Sequence, residues 1–242
     1  MSTMNLRVYV DAIVAAPAFD ELNGALTRTR KALGFDHYLF MQFNNSGTDT
    51  GILLQDYPAS WVAIQSETLG FLRSPIIKVA SRQPTPFMWT KIGDLVDLSV
   101  EQRDYLAVMK AHGMADGYTI PIHVPGGPSA FFSFVTAAGR KIDEASIPPA
   151  MYIASECYIA ANRIRRLSPA AEQTLSEQDV RIVTLLCRGQ GKALISQKLG
   201  IEKSEVSAAI SRACRHYRAG TQTEMIVHAL WHQSIRFQDV IG

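Results

Sequence analysis

Residues 193–210 read ALISQKLGIEKSEVSAAI, and the spacing of the aliphatic side chains in this stretch decides what the last third of the chain is. Ile195 and Leu199 share one face of a first helix, Gly200 stands where the chain must turn, Ile201 follows, and Val206 and Ile210 recur on a second helix. A small turn residue lets two helices cross steeply, while the flanking aliphatics seal the angle between them. The pattern is a helix–turn–helix. In a DNA-binding version the second helix lies in the major groove, its N-terminal half toward base edges and its basic side chains toward phosphates. Lys203, Ser204, Glu205, Ser207, Ser211, Arg212 and Arg215 are then the candidate DNA-facing residues. Short matches of this kind also occur in helical packing modules without a DNA role, so the motif alone leaves both readings open.

Around the motif, residues 173–242 hold only helical runs, at 177–188, 192–199, 204–218 and 223–234, with glycines between them. They predict a small all-α module of four helices. Residues 167–172, including Ser168-Pro169-Ala170-Ala171-Glu172, read as a linker. Charge divides at the same place: residues 1–166 carry 15 basic and 15 acidic side chains, residues 167–242 carry 9 and 7. The small excess points to a polyanion partner, although a solvated helix carries as much without one.

The first 166 residues alternate helices with short strands. Residues 5–33 have helical spacing interrupted at Pro17, and FDHYLFMQFN at 35–44 and GILLQ at 51–55 read as strands joined by the turn NNSGTDTG. A helix is expected after Asp56-Tyr57-Pro58 and another over 99–112, ended by Gly113. YTIPIHV and SAFFSFVTA form a hairpin around Pro125-Gly126-Gly127-Pro128, and residues 144–166 return to helix. The expected fold class is α+β: an α/β/α sandwich at 1–166 whose sheet is mixed or antiparallel, followed by the all-α module. A ligand pocket between sheet and helices is the usual site in such an architecture.

With 242 residues, 47% hydrophobic, 19% charged and a net charge of +2, the chain has the balance of a soluble globular protein. No stretch approaches the roughly 18–20 apolar residues that span a bilayer, and Asp11 interrupts any signal-peptide core, so a cytoplasmic protein without membrane contact is expected. Cys157, Cys187 and Cys214 are widely spaced and form no zinc-ligand pattern, which predicts reduced, structural thiols. Nucleophile-elbow, zinc-protease, Walker and dinucleotide-binding motifs are missing from the sequence, so neither catalysis nor a cofactor is expected.

From Leu175 to Ile235 the chain resembles the DNA-binding module of the LuxR family of quorum-sensing regulators. The landmarks are Leu175-Ser176-Glu177-Gln178-Asp179, Gly189-Gln190-Gly191-Lys192, Ile195 to Leu199, Ile201, Val206, Ile210, Ala229 and Ile235. Departures are Asp179 for a usual Glu, Glu205 for Thr, Ala209 for His, Arg212 for Asn and His216 for Lys. An acid at 205 would repel phosphate or accept from a cytosine amino group. The resemblance continues through the N-terminal region, in Asp56-Tyr57-Pro58, Trp61, Ser74-Pro75-Ile76-Ile77, Pro86-Phe87-Met88-Trp89, Gly117, Pro121, Gly126-Gly127 and Phe132-Ser133-Phe134. These follow the order and spacing of an autoinducer-binding domain.

By that resemblance an acyl-homoserine lactone or a related small amphiphile is the implied ligand, and Tyr57, Trp61, Gln65, Ser74, Ile76, Trp89, Tyr105 and Ser133 are the implied pocket. In the family a Trp donates to the lactone carbonyl, a Tyr to the acyl carbonyl, and an Asp accepts from the amide N–H. Trp61 matches the first, whereas Gln65 and Ser74 stand at the other two. The resemblance further implies a ligand-responsive DNA-binding regulator acting as a homodimer, with the helix at 144–166 and the final helix (Ile226, Leu230, Trp231) as contacts. The alternative is a ligand-independent regulator, or an antagonist that pairs with another LuxR-type regulator and silences it.

Overall fold

In a computed structural model, residues 5–43, 50–65, 70, 73–124, 129–167, 175–231, 234–235 and 237–241 are described. The turns expected at 44–49 and 125–128 and the linker at 168–172 lie outside these residues. The chain divides into two compact units, the first ending at Leu167.

The first unit begins with helices α1 (Leu6–Ala15) and α2 (Phe19–Ala32), separated near Pro17. Strands β1 (His37–Phe43) and β2 (Thr50–Gln55) follow, then α3 (Ala59–Ile64), α4 (Pro75–Ala80), the two-residue β3 (Phe87–Met88), α5 (Ile92–Leu95) and α6 (Val100–Ala111). Strands β4 (Asp116–Ile122) and β5 (Ala130–Thr136) and the long α7 (Ile147–Leu167) complete it. A reciprocal capping box fixes the start of α6: Gln102 N donates to Ser99 Oγ and Ser99 N to Gln102 Oε1, both at 3.2 Å.

The sheet has the order β2-β1-β5-β4-β3, and all four pairings are antiparallel. Of the two sheet types expected, the mixed one is therefore excluded. The reason is the central pairing: β1 meets β5 in opposite sense, with Phe40 across from Phe132, so the long excursion between them returns the chain without a parallel crossover.

Period-2 alternation gives the sheet two buried faces. Tyr38, Phe40, Tyr118, Ile120, Phe132 and Phe134 point to one side, against Ile13, Leu22, Leu26, Ile153 and Cys157 of α1, α2 and α7. Leu39, Met41, Phe131 and Val135 point to the other, against Trp61, Ile76, Ile77, Tyr105 and Met109 of α3, α4 and α6. The result is a sandwich of helices, sheet and helices. Gln42, alone among the β1 side chains in being polar and fully buried, donates to Asn162 of α7 at 3.0 Å.

The second unit carries α8 (Glu177–Cys187), α9 (Lys192–Leu199), α10 (Lys203–His216), α11 (Gln222–Trp231) and a fifth, short α12 (Phe237–Ile241) beyond the four helices expected. Ser176 caps α8 by accepting from Asp179 N. Gly200 ends α9 in the left-handed region at φ 65°, which a side chain would resist, and so makes the tight turn into α10. Ile182, Val183, Leu186, Ile195, Val206, Ile210, Met225 and Ala229 form the core. All three cysteines are free thiols.

Candidate functional site

The sheet face covered by α3, α4 and α6 holds a cavity of about 20 Å3, room for roughly one water molecule. Its walls bring together Tyr57, Trp61, Gln65, Ser74, Ile76, Tyr105 and Ser133, seven of the eight pocket residues read from the sequence. Leu39, Ile77, Met109 and Phe131 complete the lining. Strand alternation is the signal for two of these four, since Leu39 and Phe131 project to the same side as Ser133.

Each polar side chain is held by a traceable arrangement. The turn before α3 is clamped at Asp56, whose Oδ1 accepts from Tyr38 N at 2.8 Å and whose Oδ2 accepts from Arg30 Nε at 2.6 Å. That clamp sets the adjacent Tyr57. Desolvation pushes the Tyr57 phenol well above its ordinary pKa, and the neighbouring Tyr105 and Asp56 push the same way. Trp61, one turn along, is fully buried and stands edge-on to Tyr105 with ring centroids 5.2 Å apart. Its indole Nε1–H has no hydrogen-bond partner among the described residues.

Gln65 and Ser74 converge on one phenol. Gln65 Nε2 donates to Tyr105 Oη at 2.7 Å, and the Ser74 hydroxyl lies beside the same oxygen. All three side chains belong to residues at most 4% exposed. Burial raises the Tyr105 pKa, and the bonds from Gln65 and Ser74 only partly offset it, so the cluster is neutral.

Trp89 is the exception among the expected pocket residues. It does not line the cavity but stands behind it, donating from Nε1 to Thr119 Oγ1 at 2.8 Å, and Thr119 in turn shares a 2.8 Å hydrogen bond with Ser133. Trp89 lies flat over Gly117, where an added Cβ would fall 2.5 Å from Trp89 Cε2. Thr119, fully buried between the two, escaped the sequence reading because a single Thr in a strand carries no signature.

In the second unit α10 exposes Lys203, Ser204, Ser211 and Arg215, with Ser207 half-buried. Two of the expected DNA-facing residues have other partners. Glu205 closes a capping box at the start of α10, its Oε2 accepting from Glu202 N at 3.2 Å. Arg212 turns back to Asp179 of α8, because that carboxylate is buried and needs a counter-charge. Ala209, one of the departures from the family pattern, is fully buried in the core, and Ile226 and Leu230 pack partly against that core too. His216 sits edge-on to Tyr217, and the lost solvation pushes its pKa below the ordinary histidine value. No described helix is long and apolar enough to cross a membrane, and no group of three His, Cys, Asp or Glu among the described residues could hold a metal ion.

Comparison with solved structures finds the same fold in Escherichia coli SdiA, at a TM-score of 0.75 and 19% identity over 96% of this chain and 98% of that one. A second SdiA structure, in complex with octanoyl-rac-glycerol, gives a TM-score of 0.72 at 18% identity over 96% and 97% of the two chains. Among curated proteins, the transcriptional activators AhyR of Aeromonas hydrophila and VanR of Vibrio anguillarum are similar. AhyR is 22% identical over 89% of this chain and 86% of its own length, and VanR 23% identical over 87% and 89%. Residues 19–155 match the autoinducer binding domain family, more than half of the chain. The chain therefore belongs to the autoinducer binding domain family and is a LuxR-type regulator of the quorum-sensing kind.

Proposed function

We propose that the protein is a DNA-binding transcription regulator that responds to a small neutral amphiphile whose polar head sits beside Trp61, Gln65, Ser74 and Tyr105. The observation that carries this reading is the Trp61 indole N–H, fully buried at the cavity and without a partner among the described residues. Leaving such a donor unsatisfied costs about 1–3 kcal/mol, a cost that a ligand carbonyl would remove. The neutral cluster around Tyr105 favours an uncharged head group, and the octanoyl-rac-glycerol bound by SdiA belongs to that class.

Pockets for ligands of this size run to about 300–1,000 Å3, so a chain-bearing ligand enters by displacing the apolar wall. Met109, with its flexible thioether, is the side chain best suited to yield. Ligand binding then stabilises the open-walled sensor by mass action and shifts the population competent for DNA. On α10, Lys203, Ser204, Ser207, Ser211 and Arg215 face the DNA. The protein acts as a homodimer, since one small module buries too little for tight, specific binding. Exposed apolar side chains on α7 and α1, among them Met151, Tyr152, Ile159 and Val8, supply its contact.

Titrating the full chain with 1-octanoyl-rac-glycerol while recording its melting temperature tests the sensor reading. A rise is expected, and Trp61→Phe should reduce it. No rise with this probe or with N-octanoyl-homoserine lactone would refute it. One observation favours a second reading, an antagonist that silences another LuxR-type regulator: with Arg212 committed to Asp179, the basic surface of α10 is thin. DNA affinity that does not respond to salt would support the antagonist.

A further inference from the structure

We infer that the cavity selects a ligand whose polar head offers oxygen acceptors and no N–H, an acyl ester or ketone in preference to an acyl amide. This rests on the reading of the cavity as the ligand site and deepens it.

Trp61 contributes a donor and nothing else, and that donor is unpartnered among the described residues. Gln65 has already given one of its N–H groups to the Tyr105 oxygen. Tyr105 and Ser74 carry two hydroxyl protons between them, and a mutual bond uses one, so a second remains to donate. On the opposite wall the Trp89 indole, Thr119 and Ser133 form another chain. Thr119 Oγ1 receives the Trp89 proton and shares one hydrogen bond with Ser133 in which either hydroxyl can donate, so Ser133 turns its proton to the cavity when Thr119 is the donor. Two donors thus face the site whichever way that bond runs, from Trp61 and from the Tyr105 and Ser74 pair, and the hydroxyls of Ser133 and Tyr57 can turn to donate as well. No carboxylate lines the cavity among the described residues to accept a proton in return. The acceptor capacity of Tyr105 is partly consumed by Gln65.

A carbonyl or ester oxygen entering this site finds its partners waiting. An amide N–H loses its water and competes for hydroxyl lone pairs that are partly engaged, with no carboxylate to take it, which weakens binding about tenfold. Ser74 sets this preference, because it stands beside Tyr105 where a longer acidic or amide side chain would add an acceptor.

The test uses a matched pair: N-octanoyl-homoserine lactone, and the octanoate ester of α-hydroxy-γ-butyrolactone, which differs only in carrying oxygen in place of the N–H. Calorimetric titration of the full chain should give tighter binding of the ester by about tenfold. Ser74→Asp should move the preference toward the amide by a similar factor, with circular dichroism confirming that the variant folds. If it does not fold, Ser74→Asn, which adds an uncharged acceptor, should shift the ratio in the same direction. Equal or tighter binding of the amide to the unaltered chain overturns the inference but leaves the ligand site standing. Failure of both probes to bind overturns both. An ester preference unmoved in the folded Ser74 variants removes Ser74 from the role.

Discussion

Arg212 closes on Asp179 across 33 residues of sequence, its Nε 3.1 Å from Oδ2 and its Nη2 2.6 Å from Oδ1. The planar guanidinium meets the carboxylate with two parallel hydrogen bonds, the strongest geometry available to such a pair. Both residues depart from the LuxR-family pattern. They do so together, a shorter acid matched by a longer base, so the pair ties α8 to α10 at the edge of the module's core.

Removing one partner exposes what that tie does. Arg212→Ala leaves a carboxylate that is only 5% exposed without its counter-charge, at a cost of about 2 kcal/mol once the half-exposure of Arg212 is discounted. Hydrogen exchange of α8 and α10 amides in the full chain should accelerate, while the sensor sheet is unaffected. Acid should have a related effect. The Arg212 bond, outweighing the opposing desolvation, holds the Asp179 carboxyl below its usual range. A lowered folded-state pKa means the unfolded chain takes the proton first. The contribution is therefore complete above about pH 4 and is lost as pH falls through the lower, folded value. Asp179→Asn should flatten that part of the acid-unfolding profile of the module.

Gly117 and Trp89 make a second, steric prediction. An alanine Cβ at 117 would lie 2.5 Å from the Trp89 ring, inside any tolerable contact. Gly117→Ala should destabilise the sensor by about 2–3 kcal/mol, as the ring moves and its bond to Thr119 breaks. Pairing it with Trp89→Phe relieves the clash, so the two effects should be strongly non-additive in urea unfolding followed by near-ultraviolet dichroism.

The cavity wall offers a third. Met109 is 2% exposed, and Met109→Ala should cost about 2–5 kcal/mol in the ligand-free protein through lost packing. The same deletion removes part of the work of opening the wall. Acyl probes of increasing length should accordingly bind the variant more tightly relative to the unaltered chain, read by calorimetry. A uniform loss at every length would show that the chain of the ligand goes elsewhere.

How far the sequence reached depended on whether a property was local. The helix–turn–helix was legible because Ile195, Leu199, Val206 and Ile210 obey one period around one glycine. Seven of the residues that line the cavity were legible through the family resemblance, and they stand on one sheet face or on the segments that cover it. Sheet direction was not legible, since it follows from β1 meeting β5, a pairing between residues about 90 apart such as Leu39 and Ser133. The partners of Arg212 and of Trp89 were hidden for a similar reason, since each donates to an acceptor that a distant helix or strand supplies. Glu205 differs: it accepts from Glu202 N within its own capping box, a bond set by where α10 begins. Gln65 and Ser74, two unrelated departures in the linear chain, become one feature only through Tyr105.

The recognition helix gives the last prediction. Each phosphate neutralised on DNA contributes about 0.9 to the slope of log affinity against log salt. Lys203→Ala and Arg215→Ala remove exposed charges of α10, and each should lower that slope by about 1 while weakening binding to all sequences alike. Arg212→Ala should change the slope little, because its charge is already spent on Asp179. Glu205 acts in two opposing ways. Its carboxylate repels phosphate, yet it also completes the capping box with Glu202, so Glu205→Ala trades electrostatic repulsion against about 1 kcal/mol of helix stability. Glu205→Gln retains the acceptor for Glu202 N and removes the charge. It should therefore raise DNA affinity without loosening α10, and fluorescence anisotropy over a salt series on one operator-length duplex measures all five variants together.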